Sequence, residues 1–320
     1  MNFDLNDEER ALQQGVRDVC KRLFPMERVR ALENEPGGLD RKLWRELGDA
    51  GVFAIRLPEP DGVGLGMTQA VLVFEELGRA IVPGPLVSTH LAAGLIDGAA
   101  TGEVIVGMTE RSRSPRVVGH LTATDTVAVV DTDGISQVDP AGITATPIDR
   151  PLDPLTPMHL VEDLPDGERI AGADVAQRWR LEGATLISAM EVGVAAACVD
   201  QAVAYAKERK QFGRVIGSFQ AVKHICADML VRAELARAAV HAAGVMLDDP
   251  STGNAERAVA GARLLAAETA IANGKANIQV HGGMGYTWEV DAHLFLKRAV
   301  VLATRFGRAS EWAETIARTL

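Results

Sequence analysis

Glu208-Arg209-Lys210-Gln211-Phe212-Gly213 ends the first of three long apolar runs, and Gln279-Val280-His281-Gly282-Gly283-Met284-Gly285-Tyr286 ends the third. Upstream of the first segment, Ile187, Met190, Val194, Cys198 and Tyr205 recur on one stripe, which predicts a helix from near Leu181 to Lys207. Arg214-Val215-Ile216-Gly217-Ser218-Phe219-Gln220 leads into a second helix, about Phe219 to Leu247. A third, about Ala255 to Val280, carries alanine every fourth residue at Ala258, Ala262, Ala266 and Ala270. A fourth covers roughly Asp291 to Thr304. Four Ala-rich helices in series predict an up-and-down bundle over residues 177–320.

Working back toward the start, the texture changes twice. Residues 99–176 hold short runs of β-type residues, such as Val104-Ile105-Val106 and Val127-Ala128-Val129-Val130. The second run meets Asp131-Thr132-Asp133-Gly134, a hairpin turn signal, before Ile135-Ser136-Gln137-Val138. Ile143-Thr144-Ala145-Thr146-Pro147-Ile148 alternates as a strand does, so this part reads as a small β domain. Residues 1–98 are helical again. Asn6-Asp7-Glu8-Glu9 caps a first helix with acid in its first turn, and Leu12, Val16, Val19 and Leu23 follow at helical spacing. Leu43, Leu47 and Ala50 mark a second helix stopped by Gly51, the Pro58–Gly66 stretch is a loop, Val71, Phe74 and Leu77 mark a third helix, and a fourth lies around Leu91 to Ile96. The expected fold is mainly α with a small middle β domain.

Composition narrows the function. Hydrophobic residues make up 47% and charged ones 24% of 320 residues, which excludes a disordered chain. Aromatics are only 4%, so the core is built from Ala, Val and Leu, which suits close helix packing. The net charge of −10 gives no global field to recruit nucleic acid or anionic lipid, so a phosphate-bearing ligand needs local cations and amides. No run of about 18 residues is both apolar and free of charge, and the acidic start Met1 to Glu9 has no basic-then-apolar leader pattern; neither membrane insertion nor export is expected. Cys20, Cys198 and Cys226 are far apart and read as free thiols of a cytoplasmic protein. The seven histidines show no ligand spacing, and no metal site is expected.

The two opening segments carry the chemistry. Read alone, the first is a helix C-cap, with cations at the negative helix end and Gly213 in the left-handed region. Its alternative is an anion site, with Arg209 offering a planar fork to phosphate and Phe212 an apolar flank. The second, read alone, is a glycine-rich turn between helices. Alternatively, Gly282, Gly283 and Gly285 clear side chains away so that a flat or phosphorylated ligand reaches the amides. No strand precedes it, so it is not a Rossmann fingerprint.

Taken together, in this order and with two long helices between them, the segments resemble the acyl-CoA dehydrogenase family. Trp44-Arg45-Glu46-Leu47-Gly48-Asp49-Ala50-Gly51, the Pro58–Gly66 loop and Phe74-Glu75-Glu76-Leu77-Gly78-Arg79 are similar to that family's N-terminal helical domain. The resemblance implies bound FAD lying across a subunit interface. It places Arg209 and Gln211 at the pyrophosphate and Phe212 and Ile216 beside it, with Gln279, Val280, His281, Gly282 and Gly283 along the adenosine and diphosphate side. It also implies an acyl-CoA substrate and an electron-transfer flavoprotein or similar acceptor.

The chain departs from the family where a base is required. Removal of an α-proton from a thioester needs a carboxylate. At the family's usual Glu-Gly position this chain has Phe306-Gly307, and its alternative position aligns with Gly183. Glu182 is one residue away, rotated by about 100° around the helix. Glu191 lies further along the same helix. No catalytic residue is therefore assigned within this chain. Of the family's flavin-contacting Thr-Glu-Pro stretch only Thr109-Glu110 remains, in Met108-Thr109-Glu110-Arg111-Ser112-Arg113-Ser114-Pro115. The whole resembles the short, base-lacking subunits of actinobacterial heterotetrameric dehydrogenases acting on steroid-derived CoA thioesters. That resemblance implies a homologous full-length partner in an α2β2 assembly. Two alternatives stay open: a homomeric enzyme using Glu182 or Glu191 as a relocated base, and a flavin-free structural subunit.

Overall fold

A computed structural model describes residues 5–320; of the acidic opening stretch, Met1–Asp4 lie outside the described residues. Asn6 caps the first helix as the sequence predicts: its side chain accepts from Glu9 N at 2.9 Å, and the Glu9 carboxylate accepts from Asn6 N at 3.0 Å. In chain order the helices are α1 (Asp7–Leu23), α2 (Met26–Ala31), α3 (Arg41–Asp49), α4 (Met67–Arg79) and α5 (Leu86–Ala92). Seven strands follow: β1 (Val106–Glu110), β2 (Val117–Gly119), β3 (Thr126–Asp131), β4 (Gly134–Val138), β5 (Thr144–Pro147), β6 (Met158–Asp163) and β7 (Glu168–Gly172). Then come α6 (Ala173–Glu208), the short strands β8 (Lys210–Gln211) and β9 (Arg214–Val215), α7 (Gln220–Asp248), α8 (Ala255–His281), α9 (Ala292–Leu302) and α10 (Ala309–Thr319).

The chain forms two compact units. One takes in the chain up to Lys21, Val71–Val82 and Ala184–Leu320; the other takes in Arg22–Ala70 and Pro83–Gly183. In the second unit β1, β3, β4 and β7 form a four-stranded sheet, parallel only between β1 and β3, and β2, β6 and β5 form an antiparallel one. Inward residues of both sheets, Val118, Val127, Val129, Val138 and Val161, share one core with Leu164. Their β-branched side chains fit the pleated surface. The β3–β4 hairpin turns where Asp131-Thr132-Asp133-Gly134 predicts it, with Asp131 paired to Gly134.

In the first unit small residues let helices approach closely. A Cβ on Gly193 of α6 would collide with the Glu75 carbonyl, and one on Gly78 of α4 with the Met190 carbonyl. Ala262, Ala266 and Ala270 are buried, so that alanine repeat is the packing face of α8. Charged groups at this depth are paired: Arg17 with Glu76 at 2.6 Å, and Arg237 with Glu75 at 2.9 Å. Burial would raise the Glu75 carboxyl; Arg237 and His241 together outweigh it and hold the carboxyl below its ordinary value.

Four expectations need correction. Helix α6 begins at Ala173, eight residues before Leu181, because Ala176 and Trp179 anchor a half-polar first stretch. The first strand starts at Val106 and runs through Met108-Thr109-Glu110. The helix expected around Leu91–Ile96 is α5, five residues earlier, and α10 adds a helix beyond the expected four. Helix α6 also contains an 18-residue window with mean hydropathy 1.5, enough in length and composition to cross a membrane; Glu191 interrupts the run, and 83% of that window is buried inside the protein.

Candidate cofactor rim

The segment after α6 is a hairpin rather than a helix cap. Lys210 pairs with Val215 and Gln211 with Arg214, leaving Phe212 and Gly213 as a two-residue loop. Both loop residues have left-handed φ, +52° and +76°, as the mirror-image turn of a tight hairpin requires. Gly213 adopts this freely, but a bulky residue there costs about 1–3 kcal/mol. Phe212 is nonetheless 91% exposed, so no burial of its ring within this chain offsets the strain. Arg209, Lys210, Gln211 and Arg214 are exposed around it, and Ile216 is half-buried in the turn that follows. The Arg214 guanidinium sits 4.1 Å over the Phe219 ring, whose edge meets Phe212 at 6.2 Å. Two backbone bonds hold the hairpin to the helix: Arg209 N donates to Tyr205 O at 2.9 Å and Ile216 N to Arg209 O at 2.7 Å.

The second segment closes α8. Gln279 is exposed, Val280 is buried in the bundle, and Gly282 caps the helix at φ +62°. The three glycines differ in purpose. A Cβ on Gly282 or Gly283 would meet nothing within 4 Å, whereas one on Gly285 would press against Ile278 O at 2.7 Å. Gly285 serves packing; Gly282 and Gly283 leave open backbone on the surface.

The fold brings the two segments together at one end of the bundle. The Tyr205 ring stacks on His281 with centroids 4.2 Å apart and planes 25° from parallel. One turn earlier on each helix, Asn277 Nδ2 donates to Gln201 Oε1 at 2.8 Å. Neither Asn277 nor Gln201 stands out in the sequence, where Tyr205 reads only as part of an apolar stripe. A signal was available, since polar residues stand at i and i+4 just before each segment in otherwise Ala-rich helices.

These residues fit the dinucleotide side of an FAD: a planar cation, an exposed apolar ring and exposed glycine backbone, with the Gly282 N–H itself capping α8 on Gln279 O. The remnant Thr109-Glu110 does not fit its flavin side. Thr109 is buried and its hydroxyl donates to Val117 O at 3.3 Å, while Glu110 pairs with Arg113 at 3.2 Å. Arg111 donates to Pro165 O at 2.8 Å, tying the stretch to its own unit.

The base position is equally closed. Phe306 is 8% exposed at φ +51°, and its carbonyl accepts from the buried Trp312 indole at 3.0 Å. Arg263 donates to Leu302 O at 2.8 Å and Arg305 O at 3.1 Å, and its other terminal nitrogen to Glu191 at 2.6 Å. Glu191 is fully buried; desolvation pushes its carboxyl up to about 7 against the pull of Arg263. Glu182, 8% exposed, accepts from Arg56 at 2.7 Å. Burial and then the nearby Arg56 charge lower the His90 imidazole to about 4.

Known proteins match both the N-terminal and the C-terminal parts of the chain. The profile "Acyl-CoA dehydrogenase, N-terminal domain" matches residues 6–104 and "Acyl-CoA dehydrogenase, C-terminal domain" matches residues 171–320. The chain is 34% identical to the acyl-CoA dehydrogenase IpdE2 of Mycolicibacterium smegmatis, over 92% of this chain and 93% of that one. It shares its fold with the ChsE4-ChsE5 complex of Mycobacterium tuberculosis (TM-score 0.84, 23% identity, 99% and 98% of the two chains covered). It also shares it with the Tcur3481-Tcur3483 steroid ACAD (TM-score 0.83, 23% identity, 98% and 97% covered).

Proposed function

Because the chain belongs to the acyl-CoA dehydrogenase family, we propose that it is one subunit of a two-component FAD-dependent acyl-CoA dehydrogenase, completing FAD binding on a homologous partner that supplies the base. FAD, when bound, would supply the hydride acceptor for oxidation of an acyl-CoA. This chain's part is binding. Arg209 would offer two parallel N–H donors to a phosphate, the exposed Gly282 and Gly283 would leave the backbone free of side chains for its approach, and Phe212 would give an apolar flank. With a net charge of −10 the protein gives a dianionic pyrophosphate no general attraction, so these local donors carry the binding. Gln211, Ile216, Gln279 and His281 would complete the rim; Val280, also expected there, is instead packed into the bundle behind it.

The observation that carries the proposal is Phe212: a strained aromatic residue 91% exposed beside a fork of cations has its reason in something outside this chain. The closed surroundings of Glu182 and Glu191 favour a base on the partner. One fold relative is a complex of two components, which supports a two-component assembly, taken here as α2β2, and the other is a steroid ACAD, which supports a steroid-derived acyl group. An electron-transfer flavoprotein or similar acceptor would reoxidise the flavin. Within this scheme, residues 1–98 form the helical domain, 99–176 the shortened β domain and 177–320 the bundle.

The experiment is purification of the chain alone and after co-expression with a neighbouring dehydrogenase gene product. Yellow colour and acyl-CoA-dependent dye reduction only with the partner support the proposal. Activity of the chain alone would refute it, and a colourless complex would point to a structural subunit.

A further inference from the structure

Gln201 and Tyr205 stand one turn apart on α6, and Asn277 and His281 one turn apart on α8. Each residue meets its counterpart, Gln201 with Asn277 through a hydrogen bond and Tyr205 with His281 through a stacked pair of rings. Within α8, His281 Nδ1 lies 2.9 Å from Asn277 O. A carbonyl oxygen only accepts, so Nδ1 carries the proton and Nε2 is the ring nitrogen left for a ligand. Stack and bond together fix both the plane of the imidazole and the way its nitrogens face. The backbone of Tyr205 also receives Arg209 N, so one residue touches both halves of the rim.

We propose that Tyr205 is a positioning residue: by stacking on His281 it presents Nε2 and the Gly282–Gly283 backbone to the same nucleotide that Arg209 binds. The inference rests on the FAD reading above, and its test separates the two. The Tyr205 hydroxyl makes no hydrogen bond among the described residues, so the ring and not the oxygen carries the effect. Tyr205→Phe therefore keeps the function and Tyr205→Leu loses it.

The measurement is the dissociation constant of FAD from the complex with the co-expressed partner, by flavin fluorescence, for Y205F, Y205L, H281L, Y205L/H281L and R209A. Thermal melting and co-purification report folding and assembly. An aromatic pair is worth about three- to tenfold in affinity, so Y205L and H281L should each weaken FAD by that factor. Y205F should bind as the unsubstituted chain does. The double variant should be no weaker than the worse single one, since both changes remove one shared contact. If R209A weakens FAD while Y205L binds it normally, or if the two Leu variants weaken it independently, the positioning role is refuted. A Y205L chain with a lowered melting temperature and unchanged FAD affinity refutes it too. Normal binding by R209A would overturn the underlying FAD reading instead.

Discussion

Glu191 and Arg263 allow the sharpest separation of a brace from a base. Arg263 is 2% exposed and donates to three oxygens, of which one is the last carbonyl of α9 and one the Arg305 carbonyl in the loop beyond it. It is therefore well held without the carboxylate charge, whereas Glu191 has Oε1 without a hydrogen-bond partner among the described residues. Removing each partner should have unequal consequences. Arg263→Met strips a buried and a part-buried carbonyl of their donor and leaves a buried carboxyl unpaired, a loss of about 3–5 kcal/mol. With unfolding entropy of about 2.1 cal/mol/K per residue, that lowers the melting temperature by about 4–8 °C.

Glu191→Gln keeps an acceptor for Arg263 and should cost little, with a pH signature. Burial raises the folded carboxyl from 4.5 to about 7, so across that interval the native chain holds a proton that the unfolded chain has lost. Stability contributed at this site is full below about 4.5 and falls as pH rises to about 7. The glutamine has no such titration, so the difference between E191Q and the unsubstituted chain should shift in favour of E191Q over that window. Calorimetry at a series of pH values reads both effects, and turnover of the partner complex should be unchanged by E191Q. A melting temperature for R263M within about 1 °C of the unsubstituted chain would refute the brace. Abolished turnover in E191Q would show Glu191 to be the base.

Three further substitutions address the rim. Arg209→Ala removes one charge-assisted contact worth about 1.5–3 kcal/mol, so FAD should bind the complex about 10- to 100-fold more weakly, read by absorbance after gel filtration. Phe212→Gly relieves the left-handed strain and removes the apolar flank; the chain alone should melt at the same temperature or higher while FAD affinity falls. A Cβ at Gly283 meets nothing within 4 Å and Gly283 is not left-handed, so Gly283→Val should fold normally yet lower FAD affinity by about tenfold or more through blocked access to the backbone.

Much of this was legible in the sequence because it is local. The bounds of α7 and α8 follow from apolar spacing, and the left-handed need at Gly213 from its type, although the element proved to be a hairpin closed by residues on both sides. The start of α6 is not legible, since Ala173–Arg180 is half polar and only Ala176 and Trp179 reach the core. Thr109-Glu110 read as a cofactor remnant, and the fold shows the same residues as strand β1 with the threonine hydroxyl bonded inside its own unit. Pairs such as Arg56 with Glu182 or Arg237 with Glu75 lie 126 and 162 residues apart. A single sequence carries no signal for which charges meet over such spans. Tyr205 and His281 share that difficulty; only their i, i+4 polar companions hint that two helix ends converge.

The most direct test counts FAD per polypeptide in the assembly purified with its partner. If this chain lends its rim to a homologous subunit and holds no flavin ring itself, the assembly contains one FAD for every two chains, about half the content of a homotetramer with four equivalent sites. One FAD per chain, bound within copies of this polypeptide alone, would contradict the account.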